Sequence, residues 1–71
     1  MQRLVLIINE TKSIKNFQSR KKLEDYVNKK CQEFNVDIYD WKYDWKIEQV
    51  IEKNNASKIS KIVDIHTVIL K

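Results

Sequence analysis

The chain has 71 residues and a net charge of +4, with one cysteine and neither glycine nor proline. A single cysteine excludes an intrachain disulfide, and no cysteine and histidine cluster is present that could hold a structural zinc ion. Phosphate-binding loops, dinucleotide-binding fingerprints and nucleophile elbows all require glycine. We therefore expect one domain over residues 1–71 that is not an enzyme and uses neither a metal nor a cofactor.

The length of the chain limits its stability, and its first apolar segment indicates its location. A chain of this length buries only about 60% of its unfolded surface, so one core leaves it marginally stable and self-association would help. The first apolar run, from Leu4 to Ile8, is too short for a secretory signal or a membrane span. We expect a cytoplasmic protein without membrane contact.

The first half of the chain predicts a strand and a helix. Residues 3–8 are rich in leucine and β-branched residues on both alternating faces, which predicts a strand buried on both sides. A polar stretch follows over residues 11–18, in which Ile14 and Phe17 either pack against the core or form an early helical turn. Ser19 is the predicted N-cap of a helix over residues 20–34, and Asn35 ends it in the left-handed conformation. Its apolar stripe consists of Leu23, Tyr26, Val27, Cys31 and Phe34.

The second half contains the sequence YDWK twice in succession, at residues 39–42 and 43–46. A period of two places Tyr39, Trp41, Tyr43, Trp45 and Ile47 on one face and the aspartates and lysines on the other. This pattern predicts an amphipathic strand from residue 36 to about residue 43. Asp44 could cap a short helix over about residues 45–54, which ends at Asn54 and Asn55. Residues 56–60 then connect to a last strand over residues 61–70, buried on both sides.

These elements predict an α/β or α+β fold with a three-stranded sheet and two helices in the order β-α-β-α-β. Right-handed crossovers would give the strand order 2-1-3, with one helix on each face of the sheet. The alternative is a mixed or antiparallel sheet in which the second and third strands pair directly and both helices cover one face.

Individual polar residues have structural interpretations that outweigh the functional ones. No nucleophile or acid stands at a spacing that ties it to His66, so we expect a structural histidine. Cys31 lies on the apolar stripe and acts as a small hydrophobic residue. Asp37, Asp40 and Asp44 could attract a cation, but the alternating lysines favour a solvated strand face that discourages aggregation.

The aromatic row carries the leading functional hypothesis. It either supplies the core against a helix or forms an exposed anchor, because tryptophan and tyrosine are enriched at interface hot spots. We hypothesise a non-catalytic module that occludes or modulates a larger protein, as small inhibitors of host or defence machinery encoded by phages and mobile elements do. The contact residues would be Tyr39, Trp41, Tyr43, Trp45, Lys42 and Lys46.

Two alternatives use other features of the chain. Clustered basic residues suit the phosphates of a nucleic acid, which would make the protein a nucleic-acid-binding regulator. The residues for that contact are Lys15, Arg20, Lys21, Lys22, Lys29 and Lys30, although Asp25 and Glu33 compensate some of them within the helix. The second alternative is a structural homodimer in which the exposed edge of the second predicted strand pairs across a two-fold axis.

Overall fold

The computed structural model describes residues 1–51 and 58–71, and these residues form four strands and one helix. In chain order the elements are β1 (Gln2–Ile8), β2 (Thr11–Phe17), α1 (Arg20–Phe34), β3 (Ile38–Ile51) and β4 (Lys58–Leu70). The strands form one mixed sheet in the order β2-β1-β4-β3. β1 pairs antiparallel with β2 and parallel with β4, and β3 pairs antiparallel with β4.

The predicted three-stranded sheet with two helices is wrong, and so is the strand order 2-1-3. Residues 45–51, where the second helix was expected to begin, continue β3 and pair in register with β4 from Asp64 to Lys58. This ladder pairs the facing backbone groups of the two strands, which outweighs the weak capping signal of Asp44. The alternative sheet had the correct neighbours for its last two strands, but its second helix is equally wrong. The predicted helix end at Asn54 and Asn55 lies outside the described residues.

The polar stretch after β1 is a strand and not a helical turn. Asn9 and Glu10 have φ angles of 49° and 70°, and they connect Ile8 to Thr11, which are paired. Two positive φ angles in a two-residue loop are typical of a type I′ hairpin turn. The turn therefore directs residues 11–17 back along β1, although their side chains show little alternation of polarity.

The helix agrees with the prediction in its bounds and in both caps. The Ser19 side-chain oxygen accepts a hydrogen bond from the Lys22 N–H over 3.3 Å. At the other end, Asn35 has φ 50° and ψ 48°, and the Val36 N–H donates to the Cys31 carbonyl over 3.1 Å. Among residues 1–51 and 58–71, no helix has both the length and the apolar character that a membrane span requires.

The core lies between α1 and one face of the sheet. Leu4, Leu6, Leu23, Val27, Val68 and Leu70 are its buried members. The partly buried side chains that pack against it are Ile8, Phe17, Tyr26, Cys31, Val36 and Trp41. On the reverse face of the sheet, Val5 and Ile69 are only half-buried. Val63, which is also on the reverse face, is 1% exposed, whereas Ile62 on the helix side is 65% exposed. The prediction that the first and last strands are buried on both sides therefore holds for only part of each strand.

β3 and β4 extend past the rest of the sheet. β1 pairs with β4 only from Asp64 onward, whereas β3 pairs with β4 from Lys58. Residues 46–51 and 58–63 thus form a two-stranded extension, which we call the arm. The molecule measures 46 × 20 × 18 Å as a result.

Candidate functional site

Five side chains from β1, β3 and β4 form a connected hydrogen-bond network on the helix side of the sheet. Trp41 Nε1 donates to His66 Nδ1 over 3.4 Å, and His66 Nε2 lies 2.7 Å from Gln2 Oε1. Gln2 Nε2 donates to Asp64 Oδ2 over 2.8 Å, and the Tyr43 hydroxyl donates to Asp64 Oδ1 over 2.7 Å. The strand register brings them together, because Gln2 pairs with Asp64 and Tyr43 pairs with His66.

The network fixes the protonation of the His66 ring. Nδ1 accepts from Trp41, so the ring proton lies on Nε2 and is donated to Gln2. His66 is only 1% exposed, and this burial lowers its pKa, with the nearby charge of Arg20 as the second cause. The hydrogen bond from Tyr43, followed by that from Gln2, lowers the pKa of Asp64. At neutral pH the network therefore contains a neutral imidazole and an ionised carboxylate.

We expect the stability of the fold to decrease as the pH falls below 6.5, the ordinary pKa of histidine. The folded state binds the His66 proton less readily than the unfolded state does, so acid favours unfolding. The pKa values of Asp64 and Glu48 are also lowered, but the stability that these carboxylates contribute is lost only below their ordinary pKa values of 3.8 and 4.5. Urea unfolding at a series of pH values between about 7.5 and 5.5 isolates the histidine contribution.

The control for this pH series is His66→Gln, whose amide can still accept and donate hydrogen bonds but does not titrate. Its free energy of unfolding should be nearly constant over the same pH range. An equal loss of stability in the variant and the wild type would show that His66 is not the group responsible.

The aromatic row of β3 is extended, and its members have different environments. Trp41, Tyr43 and Trp45 pair with Val68, His66 and Asp64, which places all three on the helix side of the sheet. Trp41 packs against the core, whereas Trp45 is 62% exposed. Tyr39 lies at a bulge between Ile38 and Asp40, where Lys71 Nζ is 4.8 Å from its ring centre. The core interpretation thus applies to Trp41, and the surface interpretation to Trp45.

The exposed part of the row continues along the arm. Ile47 pairs directly with Ile62, which is 65% exposed, and Ile51 stands on the same face at the far end of β3. We call this surface the arm face, and its residues are Tyr43, Trp45, Ile47, Ile51 and Ile62. The polar pair Gln49 and Ser60 separates Ile51 from the other four residues. Exposed apolar surface of this kind marks interaction sites in soluble proteins.

The reverse face of β3 carries the predicted alternation of charge. Lys42 Nζ lies 3.4 Å from Asp44 Oδ2, and Lys46 Nζ lies 3.3 Å from Glu48 Oε1. Arg3 of β1 also binds Glu48 with two nitrogens, with 3.1 Å between Nη2 and Oε2. The hydrogen bond from Arg3 is the main reason that the pKa of Glu48 is lowered. The Arg3–Glu48 pair ties the base of the arm to β1, whereas the two lysine pairs lie within β3.

The six basic residues of the nucleic-acid alternative fall into two groups. Lys15, Arg20 and Lys30 already have partners: Lys15 Nζ lies 4.6 Å from the Tyr26 ring centre, and Arg20 and Lys30 pair with Glu24 and Glu33 over 2.9 and 3.3 Å. Lys21, Lys22 and Lys29 are exposed on α1 and form no ion pair within the part of the chain that is described. The group available for phosphates is therefore smaller than the sequence indicates.

The chemistry of Cys31 and of the acidic side chains is limited. Burial, and secondly the charge of Asp37, raises the pKa of the Cys31 thiol, which keeps it protonated at neutral pH. Asp37, Asp40 and Asp44 do not converge: within residues 1–51 and 58–71, no three histidine, cysteine or acidic side chains are placed to hold a metal ion.

Comparison of the chain with protein-family models, curated proteins and solved structures gave no match. A functional proposal therefore rests on the geometry of the chain itself. The arm face, the polar network beside it and the exposed lysines of α1 are the features from which a proposal can start.

The hydrogen-bond network and the far half of the arm face were missed by the sequence analysis. Gln2 and Asp64 are polar residues in or beside apolar strands, which was a usable signal, because buried polar groups require partners. Ile51 and Ile62 were assigned to a helix and to a buried strand. Their exposure follows from the length of the arm, which depends on pairing between distant parts of the chain.

Proposed function

We propose that this chain is a non-catalytic protein-binding module that acts in the cytoplasm and docks through the arm face. The observation that carries this proposal is the exposed apolar surface that begins at Tyr43 and Trp45 and continues onto an arm beyond the body of the domain. Trp45 is the best candidate for its anchor, because it is exposed in the free protein and tryptophan is the most enriched residue at interface hot spots. Docking there would occupy part of a larger protein's surface.

The charges around the arm face favour a protein partner over a nucleic acid. Asp64 pairs with Trp45 and Lys58 pairs with Ile51, and both charged residues lie on the same side of the sheet as the arm face. A rim with charges of both signs suits a protein surface of mixed charge, whereas aspartates repel phosphates. The apolar centre and mixed rim together are the arrangement that protein interfaces have in common.

The second candidate function is nucleic-acid binding by α1. It is supported by Lys21, Lys22 and Lys29, which are exposed on α1 and form no ion pair among the described residues. A phosphate contact of this kind would weaken steeply with salt, by orders of magnitude between about 50 and 200 mM. Docking through the arm face would depend on salt only weakly, since its centre is apolar.

The deciding experiment compares Trp45→Ala with two other variants in affinity capture from the cells that produce the protein. Ile14→Ala is the matched control, because Ile14 is 60% exposed and lies in β2, away from the arm face. Lys21→Ala/Lys22→Ala tests the alternative. We expect Trp45→Ala alone to lose the captured protein, and to bind that protein with a Kd raised at least about tenfold.

Circular dichroism must show that all variants are folded. Trp41→Ala is a poor substitute for Trp45→Ala, since it also removes a core contact and the hydrogen bond to His66. If the lysine variant loses its partner while Trp45→Ala keeps it, and nuclease treatment removes that partner, the arm-face proposal is wrong and nucleic-acid binding replaces it.

A further inference from the structure

The outer edge of β3 offers a long strand edge to a partner. β3 stands at the end of the sheet and, within the described residues, pairs with β4 on one side only. Its 14 residues present a row of backbone donors and acceptors that another strand can use. The opposite edge, β2, has 7 residues, and its charged members Lys12 and Lys15 are both basic. Repulsion between these lysines disfavours pairing of β2 with a second β2, whereas β3 carries charges of both signs.

We propose that β3 pairs antiparallel with β3 of a second copy of this chain, with Tyr43 next to Tyr43 of that copy on a two-fold axis. Such an axis is perpendicular to the sheet, so the helix side of one copy continues into the helix side of the other. Side chains directly opposite each other must then share a face. Aromatic residues therefore stand opposite aromatic or aliphatic residues, and charged residues stand opposite residues of the reverse face.

The charges of the repeated YDWK sequence distinguish this register from those shifted by one residue. With the axis at Tyr43, each Asp40 stands opposite Lys46 of the second copy, and each Lys42 stands opposite Asp44. Moving the axis by one residue brings like charges together, with Lys42 opposite itself in one direction and Asp44 opposite itself in the other. Opposite charges across a strand pair are stabilising, and like charges are destabilising. The alternation of charge thus discriminates between neighbouring registers.

A two-fold axis at Trp45 also places unlike charges opposite each other, but it gives poorer pairs at other positions. Asp40 would then stand opposite Val50, and Trp41 opposite Gln49. With the axis at Tyr43, Trp41 stands opposite Trp45, and Asp40, which has no ion-pair partner among the described residues, gains Lys46. The bulge between Ile38 and Asp40 lies just outside the paired segment, residues 40–46, so that segment has a regular edge.

This dimer would be one continuous eight-stranded sheet whose two arms extend in opposite directions. The edge of β3 supplies the backbone hydrogen bonds of the dimer. Tyr43 and Trp45 gain lateral neighbours at the seam, whereas Ile47, Ile51 and Ile62 lie outside the paired segment and stay open to a docking partner. Self-association and docking are therefore separate properties. The loss of one does not require the loss of the other.

The test is a charge exchange across the axis, read out as the dimer dissociation constant by sedimentation equilibrium. Asp40→Lys and Lys46→Asp each place like charges opposite each other in two symmetric pairs, and each should raise the dissociation constant at least about tenfold. The double variant Asp40→Lys/Lys46→Asp exchanges the two charges and should recover the wild-type value. Lys12→Asp on β2 is the matched control and should have no effect.

Three results would overturn the proposal. The first is a wild-type protein that is monomeric up to its solubility limit. The second is a dimer that the single substitutions do not weaken, although circular dichroism shows them to be folded. The third is a double variant that stays as weak as Lys46→Asp alone, which is the result expected for an axis at Trp45, where Lys46 stands opposite Asp44.

Discussion

Replacing Leu23 with alanine is expected to lower the free energy of unfolding by about 2–5 kcal/mol. Leu23 is 0% exposed and lies in the cluster that joins α1 to β1 and β4. The shorter side chain loses its transfer free energy and leaves a cavity between the helix and the sheet. A small domain has roughly 5 kcal/mol of stability in total, so this loss removes much or all of it.

Thermal and urea unfolding followed by circular dichroism measure this loss directly. Ile14→Ala is the matched control, because it also shortens an apolar side chain, but one that is 60% exposed. The control should change the stability by less than about 0.5 kcal/mol. Similar effects of the two substitutions would mean that α1 does not cover the sheet as described.

Replacing Gln2 with leucine is expected to cost about 1–3 kcal/mol, which is the penalty for leaving buried polar groups without partners. Gln2 accepts from His66 Nε2 and donates to Asp64 Oδ2, so it links the two titrating groups of the network. Leucine has a similar volume and cannot make either hydrogen bond. His66 then keeps an N–H without its acceptor, and Asp64 keeps only the bond from Tyr43.

Urea unfolding of Gln2→Leu should be compared with that of Gln32→Leu, which makes the same replacement at an exposed position of α1. Only the first should be destabilised. The pKa of Asp64 should also rise, because one of the hydrogen bonds that lower it is lost. A Gln2→Leu variant as stable as the wild type would show that the network does not hold these strands together.

Local signals explain why the helix was predictable from the sequence. The Ser19 side chain, the apolar steps of three and four residues, and Asn35 at the end are all contained within the segment itself. The same applies to the extended conformation around Trp41, where polar and apolar residues alternate strictly. Such features do not depend on which other part of the chain is adjacent.

Non-local pairing explains the errors. Residues 11–17 lack a clear alternation, and they become a strand because the Asn9–Glu10 turn places their backbone beside β1. Residues 45–51 contain apolar side chains at a spacing that also fits a helix, and pairing with residues 58–64 decides the outcome. Pattern analysis of a single segment does not include the hydrogen bonds that a distant segment supplies.

The sequence predicted which aromatic residues share a face of β3, but not which of them are exposed to solvent. The sequence places Trp41 and Trp45 on the same face, and the structure separates them by environment. That difference arises because Trp41 lies beside the helix-covered core and Trp45 lies at the base of the arm. The positions of α1 and of the start of β1, where Gln2 pairs with Asp64, determine which tryptophan is exposed, and both depend on the tertiary fold.

The existence of the arm underlies the docking surface, and the course of β3 underlies the proposed dimer. Nuclear Overhauser effects measured on isotopically labelled protein are the most direct test of whether the arm exists. Backbone contacts between Ile47 and Ile62 and between Gln49 and Ser60 are expected, together with strand-type chemical shifts through Ile51. Helical shifts and contacts between residues three apart over residues 45–51 would contradict the arm.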